Sequence, residues 1–174
     1  MSPASARPPA VLVVGAGNAD RGDDAVGRVV VRRVSEVLAA QGELSPAGPV
    51  AVIEHQGEGT SLLEAWQDAG AVVVVDAAAP GAAPGAICRI DARAGPLPAA
   101  LLRSTHAFGV AEAVELARAM GRLPRSLVVY AVEGLSFAAG AAMSPEVQAA
   151  APEAAAQVLD EVRALLRAAP QPTD

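Results

Sequence analysis

The sequence predicts an α/β fold: a three-layer sandwich with a five-stranded, mostly parallel sheet, one antiparallel edge strand and helices on both faces. Three observations predict it. Continuous apolar runs such as Val11–Val14 and Val72–Val75 are typical of strands buried on both sides. Segments with apolar residues at helical spacing lie between them. One further segment, Ala86–Asp91, alternates in the manner of an edge strand.

The elements follow in a regular order along the chain. Glycine and proline punctuation separates them, as between Gly42 and the second strand, and a cap with proline at the first helical position, Ser144-Pro145, opens the last helix. Pro152 predicts a kink or a restart in that helix. The predicted strands are 10–16, 50–53, 71–75, 86–91 and 127–132; the predicted helices are 24–41, 60–68, 106–120 and one from 145 that carries an apolar stripe to 166; 96–104 is predicted irregular.

Length, charge and composition set limits on function. At 174 residues we expect one domain, residues 10–168, between a disordered leader (1–9) and a loose tail (169–174). The net charge of −6, without a basic block, argues against nucleic acid. No apolar run is long enough to cross a membrane and no signal-peptide pattern opens the chain, so a cytoplasmic location is expected. The single cysteine, Cys88, excludes an intramolecular disulfide. It is expected to lie mid-strand in the edge strand, far from the strand ends, and is assigned no chemistry.

The turn after the first strand carries both glycine and unusual acidity. Gly15-Ala-Gly17 begins like a dinucleotide-binding loop, but Asp20 stands where the third glycine belongs. Asp23 and Asp24 follow, and carboxylates at a helix N-terminus repel pyrophosphate. Two alternatives remain at this point: the acids cap the helix and favour its dipole, or they bind a cation.

Further polar residues are expected at the same edge of the sheet. Asp76 closes the third strand and His106 stands at the start of the third long helix. With Asp24 they offer two carboxylates and an imidazole, a donor set that suits nickel or zinc with open positions. Spacing alone does not prove that they converge, because an aspartate after a strand is often a turn former and a lone histidine is often a cap. His55, the other histidine, is either an additional ligand or a solvated loop residue.

These motifs, in this order, resemble the maturation endopeptidases of nickel–iron hydrogenases over residues 11–166. The family pattern is a strand, G-x-G-N, an acidic pair and a glycine, matched by Gly15–Asn18 and Asp23–Gly27. Its aspartate after the third strand matches Asp76. Its S-x-H motif followed by glycine matches Ser104–His106 and Gly109, and two later loops also match, Arg122–Arg125 and Glu133-Gly134.

The resemblance implies an endopeptidase that recognises nickel in the immature large subunit and removes its C-terminal extension. Asp24, Asp76 and His106 would be the metal ligands, and Asp24 or Asp76 would also act as the general base. Nickel would come with the hydrogenase large-subunit precursor, which is the expected partner; zinc or another divalent ion would fit the same ligands in a crystal. Neither nucleic acid nor a membrane is an expected partner.

The sequence departs from the family at two positions. Many members have glutamate where this chain has Asp24, which is one methylene shorter, and many have a D-G-G-T loop where this chain has Glu54–Gly59. That loop is thought to select the substrate, so which hydrogenase is served stays open. The alternative function is a non-catalytic metal-sensing or metal-binding scaffold of hydrogenase assembly, and a nucleotide-binding α/β protein is a second alternative.

Overall fold

The computed structural model describes residues 8–44, 48–78, 81–98 and 109–169. The strands and helices of these ranges alternate along the chain, except that β4 follows β3 with no helix assigned between them. In order they are β1 (Val11–Ala16), a 3-10 turn (Gly22–Ala25), α1 (Val26–Ala40), β2 (Val50–His55), α2 (Gly59–Trp66), β3 (Ala71–Ala78), β4 (Ile87–Asp91), α3 (Val110–Ala119), β5 (Ser126–Glu133) and α4 (Pro145–Ala168).

The five strands form one sheet in the order β2-β1-β3-β5-β4. The first four are parallel, and β4 pairs antiparallel with β5 at the edge. The predicted fold class is confirmed, including the antiparallel edge strand. Because the chain moves from β1 to β2 on one side and then to β3 on the other, the connections diverge between β1 and β3. Ligands of open α/β sheets bind beyond the carboxyl ends of the strands at such a point.

Two apolar layers hold the helices on the sheet. Alternate strand residues such as Val13 and Val73 face α1 and α4, while Val14 and Val74 face α2 and α3. The core is mainly valine, leucine and alanine, with Trp66 as its largest fully buried side chain. These layers make the sheet a rigid base whose carboxyl edge carries the polar residues.

Both edges of the sheet carry ion pairs. On β2, the Glu54 carboxylate accepts from Arg28 at 2.7 Å and from Arg32 at 2.5 Å, both on α1. On β4, Arg89 donates to Glu161 of α4 at 2.6 Å. The pairs join each edge strand to a helix on one face of the sheet. The arginines hold the pKa of Glu54 at about 2.

Several element boundaries differ from those predicted. β2 and β3 run two and three residues further than expected, to His55 and Ala78, because their ends still pair with β1 and β5. α3 begins at Val110 rather than at residue 106, and residues 106–108 lie outside the described ranges. The first helix is preceded by a 3-10 turn that contains Asp24.

One helix continues through Pro152, so of the two predicted outcomes, a kink or a restart, the restart is wrong. Proline removes the hydrogen bond to the carbonyl four residues earlier, which here belongs to Gln148. Both residues lie on the exposed face, where water can satisfy that carbonyl. The helix starts at Pro145 as predicted, but Ser144 makes no side-chain cap and bonds to Asp23 instead.

Candidate active site

The glycines of the first turn allow close packing inside the protein. Gly17 has a φ of 125°, in the left-handed region, and a Cβ on it would collide with the backbone carbonyl of Asp24. A Cβ on Gly27 would meet the carbonyl oxygens of Ala16 and Val75. The glycines thus bring the start of α1 directly against β1 and β3. The close contacts that Gly17 and Gly27 allow are with the chain's own backbone.

Asp24 is placed at the carboxyl edge by this packing. Its side chain is nearly buried, and Oδ2 accepts a hydrogen bond from the backbone N–H of Asn18 at 2.9 Å. The carboxylate therefore sits inside the turn between β1 and α1.

Asp76 lies within β3 rather than after it. Its register partner on β5 is Ala131, and its Oδ1 accepts from the backbone N–H of Ala77 at 2.9 Å. Burial raises the pKa of Asp76 to about 7, and the negative charges of Asp24 and Glu112 act in the same direction. The carboxyl group of Asp24 is thus close enough for its charge to act on Asp76, at the point where the connections diverge.

The third predicted ligand, His106, lies outside the described residues, as does Ser104. Among the residues that the structure describes, no three His, Cys, Asp or Glu side chains form a group that could hold a metal. The two carboxylates are therefore the described part of the predicted ligand set. A cation between them would favour the ionised form of Asp76, which burial and its neighbours disfavour.

Glu112 is a charged residue near Asp76 that the sequence interpretation did not consider. It lies in the first turn of α3, and its Oε2 accepts from the backbone N–H of Gly109 at 2.8 Å. This is the reciprocal half of a capping box, for which the spacing from Gly109 to a glutamate three residues later was the available signal. Its charge adds to the negative potential at Asp76.

Asp23 has a structural role that differs from that of its neighbour. It is fully buried, and its Oδ2 accepts from the N–H groups of Leu135 at 2.7 Å and Ser136 at 2.9 Å. Its Oδ1 accepts from the N–H of Ser144 at 2.6 Å, and the Ser144 hydroxyl contacts both oxygens. Burial opposes ionisation, but these hydrogen bonds together outweigh it and lower the pKa of Asp23. The carboxylate thus fastens the segment after β5 to the first turn.

His55 lies at the end of β2, beside Ala16 in the register. Its Nδ1 accepts a hydrogen bond from the backbone N–H of Gly57 at 3.0 Å, and burial lowers the pKa of the imidazole. A neutral ring that accepts at Nδ1 carries its proton on Nε2, so neither nitrogen offers a free lone pair in this arrangement. This geometry favours a loop-ordering role over the alternative of an additional ligand.

Cys88 is closer to the carboxyl edge than predicted. It is the second residue of β4, which runs antiparallel, and both it and Asp76 lie level with Ala131. The expectation that it lies mid-strand and far from the strand ends is wrong, because the reversed direction of β4 brings its first residues to this edge. Two strand spacings, about 10 Å, separate its backbone from that of Asp76. The thiol is exposed.

A family model described as "Hydrogenase maturation protease" matches residues 31–161. The chain belongs to this family. It is therefore a protease of hydrogenase maturation, as the sequence motifs implied. The matched range begins after the glycine-rich turn and includes the segments that contain Asp76 and Glu112. No curated protein matches the chain.

Solved structures of similar proteins share the fold. The hydrogenase maturating endopeptidase HybD from Escherichia coli has a TM-score of 0.71 at 23% identity, covering 88% of this chain and 91% of its own. An endopeptidase from Escherichia coli gives a TM-score of 0.71 at 25% identity, with coverages of 88% and 91%. The [NiFe] hydrogenase maturation protease HycI from Thermococcus kodakarensis gives 0.62 at 22% identity, with coverages of 88% and 92%.

None of the helices that the structure describes is both long enough and apolar enough to cross a bilayer.

Proposed function

We propose that this protease recognises nickel in the immature large subunit of a nickel–iron hydrogenase and removes the subunit's C-terminal extension. The observation that carries the proposal is the convergence of Asp24 and Asp76 at the point where the strand connections diverge, in a chain of the hydrogenase maturation protease family. Two neighbouring carboxyl groups, one of them with its pKa raised to about 7, favour a bound cation over an anionic ligand.

The proposed ligands of the substrate's nickel are Asp24, Asp76 and His106. Carboxylate and imidazole donors suit nickel and zinc, and three protein ligands leave positions for groups of the substrate. The precursor supplies the ion, so the protease needs no resident metal. When the precursor docks, its ion would offset the unfavourable interaction between the buried Asp24 and the half-buried Asp76.

Hydrolysis then requires a polarised carbonyl and a base. Nickel bound at this position supplies a Lewis acid next to the scissile peptide. A carboxylate beside the ion would serve as that base by taking up a proton from the attacking water. We assign this second role to Asp24 or Asp76, in addition to its role as a ligand.

The test is the cleavage of nickel-loaded and nickel-free precursor, followed by intact mass spectrometry of the large subunit. We expect the loaded precursor to lose its C-terminal extension and the nickel-free precursor to remain intact. Asp76→Asn and His106→Ala should abolish cleavage. Asp68→Asn, which changes an exposed aspartate just after α2, is the matched control and should leave the rate unchanged.

Two results would overturn the proposal: efficient cleavage of the nickel-free precursor, or full activity of His106→Ala. Binding of the loaded precursor by the wild-type protein with no change of its mass would instead support the alternative of a metal-sensing scaffold. The two functions are thus separated by one measurement.

A further inference from the structure

The segment from Gly134 to Ser144, here called the β5–α4 loop, is held unusually firmly for a surface connection. Besides the hydrogen bonds to the Asp23 carboxylate, its backbone pairs with the first turn. The N–H of Asp23 donates to Ser136 at 2.9 Å, the N–H of Gly22 to Ala141 at 3.2 Å, and the N–H of Gly140 to Asp20 at 2.7 Å. The turn that carries Asp24 and the β5–α4 loop therefore form one rigid unit.

This rigid unit exposes an apolar side chain. Leu135 is 55% exposed although its own N–H is fixed by Asp23 and the preceding Gly134 is buried. The Phe137 ring packs closely against Gly134, where a Cβ would collide with it. The isobutyl group of Leu135 is thus displayed to solvent from a fixed backbone.

The position of Leu135 relates it to the candidate active site. Asp76 lies level with Ala131 in the sheet, and Leu135 follows Ala131 by four residues. Four residues span at most about 14 Å, and neighbouring strands are about 5 Å apart. A peptide held at Asp24 and Asp76 therefore reaches Leu135 within about five residues in an extended conformation.

We infer that Leu135 is a specificity-determining contact, which binds an apolar side chain of the substrate within about five residues of the scissile bond. Asp23 and Ser144 are positioning residues, since they fix the loop that presents it. This inference rests on the proposed function. The occupant is the substrate segment, because the loop is continuous with the turn that carries Asp24.

The experiment compares Leu135→Ala with Met120→Ala on the nickel-loaded precursor. Met120 is a matched control because its side chain is also about half exposed, at 51%. It directly follows α3, near the amino ends of the parallel strands and therefore away from the candidate active site. Loss of half of a leucine contact should raise KM about fivefold to tenfold, with kcat changed less than twofold. Met120→Ala should change neither constant.

An unchanged KM for Leu135→Ala, with an active wild-type enzyme, overturns the inference and leaves the proposed function intact. Failure of the wild-type enzyme to cleave the loaded precursor overturns both. Leu135→Met, which keeps an apolar side chain of similar volume, should restore most of the affinity. If it is as poor as alanine, the contact is not an apolar one.

A double-mutant cycle tests the positioning role. Ser144→Ala removes the hydroxyl that contacts both Asp23 oxygens but keeps the backbone donors. We expect it to raise KM twofold to threefold alone and to have no effect in the Leu135→Ala background, because both changes act through one side chain. Additive effects on KM, or a lower melting temperature with unchanged KM, would overturn the positioning role.

Discussion

Replacing Asp23 by asparagine should destabilise the fold strongly although it preserves the shape of the side chain. The amide keeps one oxygen, whereas the carboxylate receives backbone N–H groups at both of its oxygens, from Leu135 and Ser136 at Oδ2 and from Ser144 at Oδ1. One side of the asparagine must therefore present its own N–H groups to buried donors.

The magnitude follows from those contacts. A buried donor left without an acceptor costs about 1–3 kcal/mol, and hydrogen bonds to a charged group are worth about 1 kcal/mol more than neutral ones. Asp23→Asn leaves at least one donor without an acceptor and makes the remaining hydrogen bonds neutral. We therefore expect the free energy of unfolding to fall by about 3–5 kcal/mol. The free energy of unfolding of a folded domain is about 5–15 kcal/mol in total, so this loss is a large fraction of the stability.

The assay is urea unfolding of the metal-free protein at pH 7, monitored by circular dichroism. The midpoint should fall without a change in slope. Asp160→Asn is the matched control, because the Asp160 side chain is 84% exposed and lies 3.8 Å from Arg163. Such an exposed pair contributes little, so the control should stay within about 0.5 kcal/mol of the wild type.

The contribution of Asp23 to the free energy of unfolding depends on pH in a direction that follows from its pKa. The pKa of Asp23 is lower in the fold than its ordinary value of 3.8, so its stabilisation is fully present above pH of about 4 and is lost as the pH falls through the folded value. The difference in free energy of unfolding between the wild type and Asp23→Asn should therefore be smaller at pH 3 than at pH 7. A difference below about 0.5 kcal/mol at pH 7, or one that does not shrink in acid, would refute the role of the ionised carboxylate.

Two further predictions concern the site and its thiol. Asp76→Asn should raise the melting temperature of the metal-free protein. The gain should grow between about pH 4 and pH 7, because the fold raises the pKa of Asp76 from 3.8 to about 7 and so opposes its ionisation; a lower melting temperature at pH 8 would contradict this. Cys88→Ala should retain cleavage of the loaded precursor, since its backbone lies about 10 Å from that of Asp76. Loss of processing in a folded Cys88→Ala protein would reveal a cysteine mechanism.

The strands of the sheet could be predicted because the residue patterns that specify them lie within short continuous segments of the sequence. Runs such as Val72–Val75 are apolar throughout, which a strand buried on both faces requires, and the alternation from Ala86 to Asp91 identified the edge strand. The strand ends were less predictable. The pairing of Glu54-His55 and of Asp76–Ala78 with neighbouring strands depends on long-range register, which polar side chains at a strand end conceal.

The sequence was a better guide to which acids lie near the candidate site than to what each of them does. Asp24 and Asp76 stood out as acids next to apolar strands, and the structure brings them together. The sequence could not separate Asp23 from Asp24, since adjacent aspartates look equivalent until the partners of each are known. Only the return of residues 135–144 to the first turn gives Asp23 its donors. Likewise, the direction of β4 follows from its pairing with β5 and not from its composition. That direction places Cys88 opposite Ala131, near the carboxyl ends of the parallel strands.

The ion pairs at the two edges of the sheet bear on how copies of this chain meet one another. An edge strand with free backbone groups invites a second chain to extend the sheet. Here β2 carries Glu54, held between Arg28 and Arg32, and β4 carries Arg89, held by Glu161. A neighbouring strand would have to bring its own side chains against these fixed charges and strip water from them. The same salt bridges that fasten the edge strands to their helices therefore also make the sheet a poor template for aggregation.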